Sequence, residues 1–132
     1  MHQKPFEEIM EKLKEFSLPE EFDLIVGIAR GGVVPAFMLS RKLECDLSFL
    51  WLLYRNENNE PIFEEPRLIR DINFDYKEKR ILLVDDRLKT GRTFLRAKEI
   101  LKEAAKIKTF AVNGHADYSL YNEPCFTFPW KI

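Results

Sequence analysis

The run Ile81-Leu82-Leu83-Val84-Asp85-Asp86-Arg87-Leu88-Lys89-Thr90-Gly91-Arg92-Thr93-Phe94 constrains this chain more than any other stretch. Four consecutive apolar residues read as a buried strand. Two adjacent carboxylates close it, a short turn with hydroxyls and a glycine follows, and a helix begins. This places negative charge at a strand's carboxyl end, a few residues from a helix start whose backbone N–H groups lack intrahelical acceptors. Carboxylates suit hydroxyls, and a helix start suits phosphate. A sugar phosphate offers both.

The rest of the chain alternates in the same way. Pro5 opens a helix with Phe6, Ile9, Met10, Leu13 and Phe16 at helical spacing, stopped by Ser17-Leu18-Pro19. The pattern predicts a strand over 23–28, a turn over 29–32, a helix over 33–43 and a strand over 47–54. A weak strand is expected near 67–70, and a helix from about Gly91 with Phe94, Ala97, Leu101 and Ala104 on one face. Further strands are expected over 107–112 and 125–128. Residues 55–66 are polar and long for a connection inside a compact domain, which marks a lid or a disordered loop. Alternating strands and helices favour an α/β fold with a mostly parallel central sheet flanked by helices. Ligands of such sheets bind outside the carboxyl ends of the strands. The loops 29–32 and 85–93 both follow strands, so they open on one edge and can share a ligand.

At 132 residues, 45% hydrophobic and 33% charged, the chain is expected to form a single domain over 1–132. A net charge of −1 provides no global basic field and argues against a nucleic-acid partner. Arg30, Arg67, Arg87, Lys89 and Arg92 instead gather near the two loops, as a pocket for a small anion requires. Cys45 and Cys125 have no metal-ligand spacing. No apolar signal region follows Met1, and the longest apolar stretch, 49–54, is far too short to span a bilayer. The expectation is a cytoplasmic protein with no membrane partner. The helix over 33–43 is apolar on nearly every side, which points to a homodimer.

The second loop is neither a Walker loop nor a G-x-G-x-x-G turn. Gly91 allows close backbone approach to a phosphate, and Thr90 and Thr93 add hydroxyl donors. Asp85 and Asp86 would repel phosphate, but they suit ribose hydroxyls and a sugar carbon that becomes cationic in a transition state. In the first loop, Gly27-Ile28-Ala29-Arg30-Gly31-Gly32, the glycines permit a tight turn and Arg30 can meet a second anionic group. A plain strand exit or helix cap remains the alternative for either loop alone.

Together the two loops resemble those of the type I phosphoribosyltransferases. The likeness is to the small enzymes for xanthine, guanine and hypoxanthine, through Arg30-Gly31-Gly32-Val33-Val34-Pro35, the run 81–93 and the ending Phe128-Pro129-Trp130. The resemblance implies transfer of a 5-phosphoribosyl group from 5-phosphoribosyl diphosphate to a nitrogenous base, a 6-oxopurine, in purine salvage. It implies Asp85, Asp86 and Lys89 as the catalytic set, with Asp86 also beside a magnesium ion. Leu88, Lys89, Thr90, Gly91, Arg92 and Thr93 would wrap the 5-phosphate. Ala29, Arg30, Gly31 and Arg67 would bind pyrophosphate, with a cis peptide before Arg30. Residues 55–66 would be a mobile lid with Tyr54 at its base, and 113–132 a small C-terminal hood. Asn113 and Phe126 would meet the base.

Three departures accompany the likeness. Lys89 stands where the purine enzymes usually carry an acidic residue thought to manage a proton on the purine. Arg87 replaces an aliphatic residue. Asn113-Gly114-His115 replaces the turn that carries a base-reading lysine. Two other readings compete: a regulatory module that binds the same diphosphate on this fold, and a phosphoacceptor receiver domain. The receiver fits poorly, because its acidic pair would follow the first strand.

Overall fold

A computed structural model describes residues 2–56, 58 and 60–131. The chain runs α1 (Phe6–Glu15), β1 (Leu24–Ala29), α2 (Val33–Leu43), β2 (Asp46–Leu53), β3 (Arg67–Leu68), β4 (Arg80–Arg87), α3 (Arg92–Ile100), β5 (Lys106–Asn113) and β6 (Tyr118–Tyr121). The strands form one six-stranded sheet in the order β3-β2-β1-β4-β5-β6. Every pairing is parallel except that of the short edge strand β3, which lies antiparallel to β2.

Period-two alternation divides the core into two layers. Ile25, Leu82, Val84, Phe110 and Val112 face α1 and α2, joined by Ile9, Leu13, Ala36 and Leu39. Val26, Ile28, Ile81, Leu83 and Ala111 face the other way, under Phe94, Ala97 and Leu101. All six residues of β1 and the four apolar residues of β4 are buried, as strands covered on both faces require. Both the α/β class and the flanked, mostly parallel sheet read from the sequence are present.

Besides shifts of one or two residues at other strand ends, the sequence reading differs from the structure in these places. The strand expected to end at Val84 continues through Asp85 and Asp86 to Arg87, because β5 pairs along it as far as Asn113. Helix α3 stops at Ile100, so Ala104 lies beyond it, although both Leu101 and Ala104 still pack inward. The strand expected over 125–128 is not formed: Thr127 makes only an isolated bridge to Gln3. The last strand is β6, earlier in the chain, whose pattern Tyr-Ser-Leu-Tyr is too short to stand out by periodicity.

From β1 the chain crosses through α2 to β2 on one side, whereas β4 sits on the other side and leads through α3 to β5. The strand order therefore reverses between β1 and β4. Such a switch point opens a crevice at the carboxyl edge of a parallel sheet. The two loops singled out by sequence leave from these two strands.

Candidate active site

Asp86 shares a strand face with Leu82 and Val84, the face that looks toward α2. There it abuts the loop after β1. A Cβ placed on Gly31 would lie 2.6 Å from Asp86 Oδ1 and 2.7 Å from its Cγ. Only glycine lets the two loops approach this closely. The Ala29–Arg30 peptide is cis, as the family resemblance implied. Gly32 N–H donates to the Ile28 carbonyl at 2.8 Å and Val33 N–H to that of Arg30 at 3.0 Å, closing a tight turn with the Arg30 side chain exposed.

Asp85 takes the opposite face, over Ala111. Its Oδ1 accepts the Asp86 N–H at 2.8 Å. Burial first, then the negative charge of Asp86, pushes the Asp85 carboxyl well above the usual carboxylate range. The Asp85 carboxyl therefore resists ionisation in this setting.

Beyond Arg87 the chain forms the loop that the sequence marked as a candidate anion loop. Gly91 has φ +82°, a left-handed conformation that costs other residues energy and glycine little. The first helical bond of α3 runs from Leu95 N–H to the Gly91 carbonyl at 3.0 Å, so the preceding N–H groups precede the helical ladder. Thr90 Oγ1 accepts from Arg92 N–H at 3.4 Å. Lys89, Thr90 and Arg92 are exposed, and Leu88, Gly91 and Thr93 are half-buried. The loop is rooted from below: Leu88 N–H donates to the Asn113 carbonyl at 2.9 Å. Gly114 lies so near that a Cβ there would stand 2.6 Å from Leu88 Cβ. An Asn-Gly dipeptide is a turn signal, but nothing in the sequence shows that Gly114 packs against the loop over 88–93.

Arg67 lies at the same carboxyl edge, opposite Leu53, with its guanidinium 4.0 Å from the Phe63 ring centroid. The sheet order separates it from Asp86 by β2 and β1. Residues 57 and 59 of that segment lie outside the described residues. Around them the chain folds back on itself: Ile62 N–H donates to the Tyr54 carbonyl, and Asn56 Oδ1 accepts from the N–H groups of Asn58 and Glu60. Arg92 Nη1 donates to the Glu64 carbonyl at 3.1 Å, tying this segment to the start of α3.

The two residues expected to meet the base are both buried. Asn113 is buried, and its amide pairs with the backbone of one residue: Nδ2 donates to the Glu123 carbonyl at 3.0 Å and Oδ1 accepts the Glu123 N–H at 3.1 Å. Phe126 is fully buried, with its ring edge-on to Tyr121 and Phe128. Both help to hold the segment 113–131 in shape, Asn113 through its amide and Phe126 through its ring. Trp130 stacks on Phe128 at 5.0 Å, a packing role. Arg87, by contrast, reaches from the end of β4 to this segment: Nη2 donates to the Phe126 carbonyl at 2.7 Å.

Two hollows lie elsewhere. One of about 340 Å³, lined by Leu18, Phe22, Leu43, Cys45 and Arg80, is at the amino edge of the sheet. Another of about 260 Å³, lined by Leu88, Phe94, Lys98, Thr109 and His115, lies behind the loop over 88–93. The acidic pair and the arginine loop border neither.

Comparison with known proteins agrees with this arrangement. Residues 2–118 match the phosphoribosyl transferase domain. A hypoxanthine-guanine phosphoribosyltransferase of Lactococcus lactis is 33% identical over 103 residues, covering 73% of this chain and 56% of the relative. This chain therefore spans about half the length of that curated relative. The crystal structure of a purine phosphoribosyltransferase from Pyrococcus horikoshii superposes with a TM-score of 0.75 at 27% identity, covering 98% of this chain and 93% of the other. A hypoxanthine phosphoribosyltransferase from Staphylococcus aureus shares the fold, with a TM-score of 0.72 at 21% identity over 89% of this chain and 74% of its own. With its acidic pair, arginine turn and candidate anion loop on a sheet of this order, the chain belongs to the type I phosphoribosyltransferase family.

Proposed function

We propose that this chain transfers the 5-phosphoribosyl group from 5-phosphoribosyl diphosphate to a ring nitrogen of a 6-oxopurine, releasing pyrophosphate. The observation that supports this reading is the close approach of Asp86 to Gly31, which brings the acid and the arginine turn within reach of one ligand. The 5-phosphate takes the N–H groups of Leu88 through Thr93, the hydroxyls of Thr90 and Thr93, and the charges of Lys89 and Arg92. Asp85 and Asp86 accept from the ribose hydroxyls and stabilise positive charge at C1 as its bond to the pyrophosphate oxygen breaks. Arg30, with the backbone of Ala29 and Gly31, takes the departing pyrophosphate, and Arg67 approaches it as residues 55–66 close as a lid. The base nitrogen attacks from the opposite face, under a hood formed by 113–132 in which Asn113 and Phe126 act as props. Positioning and exclusion of water carry the catalysis, so a nucleophile–histidine pair is unnecessary. Lys89 serves as a phosphate-binding charge rather than as an acceptor of a purine proton.

Magnesium, when bound, would neutralise and orient the pyrophosphate. Asp86 would hold the ion. Among the described residues no group of three acidic, histidine or cysteine side chains stands together. We place the protein in the cytoplasm as a homodimer; among the described residues no helix is long and apolar enough to cross a membrane.

The test is a thermal-shift titration with magnesium and 5-phosphoribosyl diphosphate, followed by steady-state pyrophosphate release with hypoxanthine, guanine and xanthine. Stabilisation by the diphosphate together with base-dependent release is expected, and Asp86→Asn should suppress release. Tight binding of the diphosphate with no release for any base would favour the regulatory alternative instead.

A further inference from the structure

The dipeptide Asn113-Gly114 stands between the loop over 88–93 and the C-terminal segment. On one side Asn113 pairs with Arg87 across the sheet, and its carbonyl accepts the Leu88 N–H at 2.9 Å. On the other, Gly114 N–H donates to the Tyr121 carbonyl at 2.9 Å, and the Gly114 carbonyl accepts from the Ser119 hydroxyl. Gly114 is thereby held by β6 while it lies against the residue that opens the loop.

The contact is with the backbone of Leu88 as well as its side chain. A Cβ on Gly114 would lie 2.6 Å from Leu88 Cβ, 2.7 Å from the Leu88 carbonyl oxygen and 3.0 Å from the Leu88 nitrogen. Gly114 also has φ +131°, a conformation that residues with a side chain rarely adopt. From Leu88 the contact passes into the loop. A Cβ on Gly91 would meet Leu88 Cδ1 at 3.7 Å, so the Leu88 side chain underlies the glycine that precedes α3. Lys89 and Thr90, between these two, are exposed, which leaves half-buried Leu88 and Gly91 as the footings of the loop.

We propose that Gly114 is a positioning residue for the 5-phosphate: it sets the backbone of Leu88, and through Leu88 the direction of the N–H groups that follow. This rests on the phosphoribosyl-transfer reading and extends it to a residue outside the loop. Hydrogen bonds to a charged phosphate are short and depend steeply on angle. A backbone displaced to admit one methyl group turns several such donors away from a single phosphate position. The arginine turn leaves β1, which β4 separates from β5, so it keeps its place.

Two fragments of the diphosphate, titrated separately by calorimetry on the intact chain, test this in Gly114→Ala. Ribose 5-phosphate probes the loop over 88–93, and magnesium pyrophosphate probes the arginine turn. The variant is expected to bind ribose 5-phosphate about 10–100-fold more weakly than the parent, the effect of losing one hydrogen bond to a charged group. Its affinity for pyrophosphate should stay within about twofold, as for sites that do not share a contact. A role confined to folding would lower Tm and move both affinities together or neither. Leu88→Ala removes the side chain beneath Gly91 and leaves Gly114 in its turn; it should show the same selective loss, and it carries the test if Gly114→Ala does not fold. Equal losses for both fragments, an unchanged affinity for ribose 5-phosphate, or no binding of that fragment by the parent overturn the inference. If 5-phosphoribosyl diphosphate with magnesium also gives the parent no thermal shift, the transfer reading fails as well.

Discussion

Gly31 and Asp86 form a pair whose energetics separate function from folding. Gly31→Ala should push the Asp86 carboxylate aside, since the new Cβ would sit 2.6 Å from its Oδ1. Turnover should then fall by roughly 10–1000-fold, as when a positioned electrostatic group is lost. Asp86→Asn should cost a similar factor, and the double variant little more than either alone, because both changes disable one contact. Additive losses in kcat/KM would show that the two residues act separately. Asp85 behaves differently, for its carboxyl is held well above the ordinary range by burial and by Asp86. An acid with a raised folded pKa leaves stability untouched below its unfolded value and costs stability as pH rises beyond it. Asp85→Asn should therefore raise Tm by about 2–8 °C near neutrality. The gain should vanish as pH falls to the ordinary carboxylate range, in melts followed by circular dichroism. At this scale the sequence was legible where chemistry is local: adjacent aspartates, an arginine between small residues, a glycine before a helix. It was illegible where a side chain's role depends on remote partners. Nothing near Asn113 in the chain shows that Glu123 pairs with its amide, and nothing near Phe126 shows that Tyr121 and Phe128 cover its ring.

Among the elements, the C-terminal segment is clasped by the start of the chain. Gln3 bridges Thr127, Thr127 N–H donates to the His2 carbonyl at 3.0 Å, and Lys4 N–H donates to the Thr127 carbonyl at 3.3 Å. Lys4 Nζ pairs with Glu123 at 2.9 Å and lies 4.6 Å from the Tyr121 ring centroid. Tyr121 in turn donates to Glu8 at 2.6 Å. Lys4→Met should loosen this clasp and speed amide exchange at Thr127 by about 5–30-fold, the change that one or two kcal/mol of local stability produces. Unchanged exchange would mean that the backbone bridge alone holds the segment. The Tyr121 hydrogen bond, followed by the charge of Lys4, lowers the Glu8 pKa. Its contribution is present above the ordinary carboxylate range and is lost as pH falls through the lowered folded value, so acid should open the clasp. None of this could be read from periodicity. Helices and buried strands announce themselves through apolar spacing, and α2 falls where the pattern predicted it. A bridge of one residue pair and a four-residue strand leave no such trace, which is why β6 was missed and 125–128 was misassigned.

At the scale of the whole molecule, the sheet order was not written in any one segment, yet the alternation of strands and helices left few arrangements open. The reversal between β1 and β4 emerges from that order and places the two functional loops side by side. Assembly is the property least determined by a single chain. Phe37 on α2 is 56% exposed, and the proposed homodimer would bury it. Sedimentation of the parent should give a dimer and that of Phe37→Glu a monomer with an unchanged circular dichroism spectrum; two dimers would place the subunit contact elsewhere. The crowding of Gly31 against a carboxylate also bears on how this protein tolerates variation. In a saturation library sorted first for soluble expression and then for growth on salvaged purine, position 31 should accept many residues in the first sort and glycine alone in the second. The gap between those two tolerances would map, codon by codon, where the fold ends and the chemistry begins.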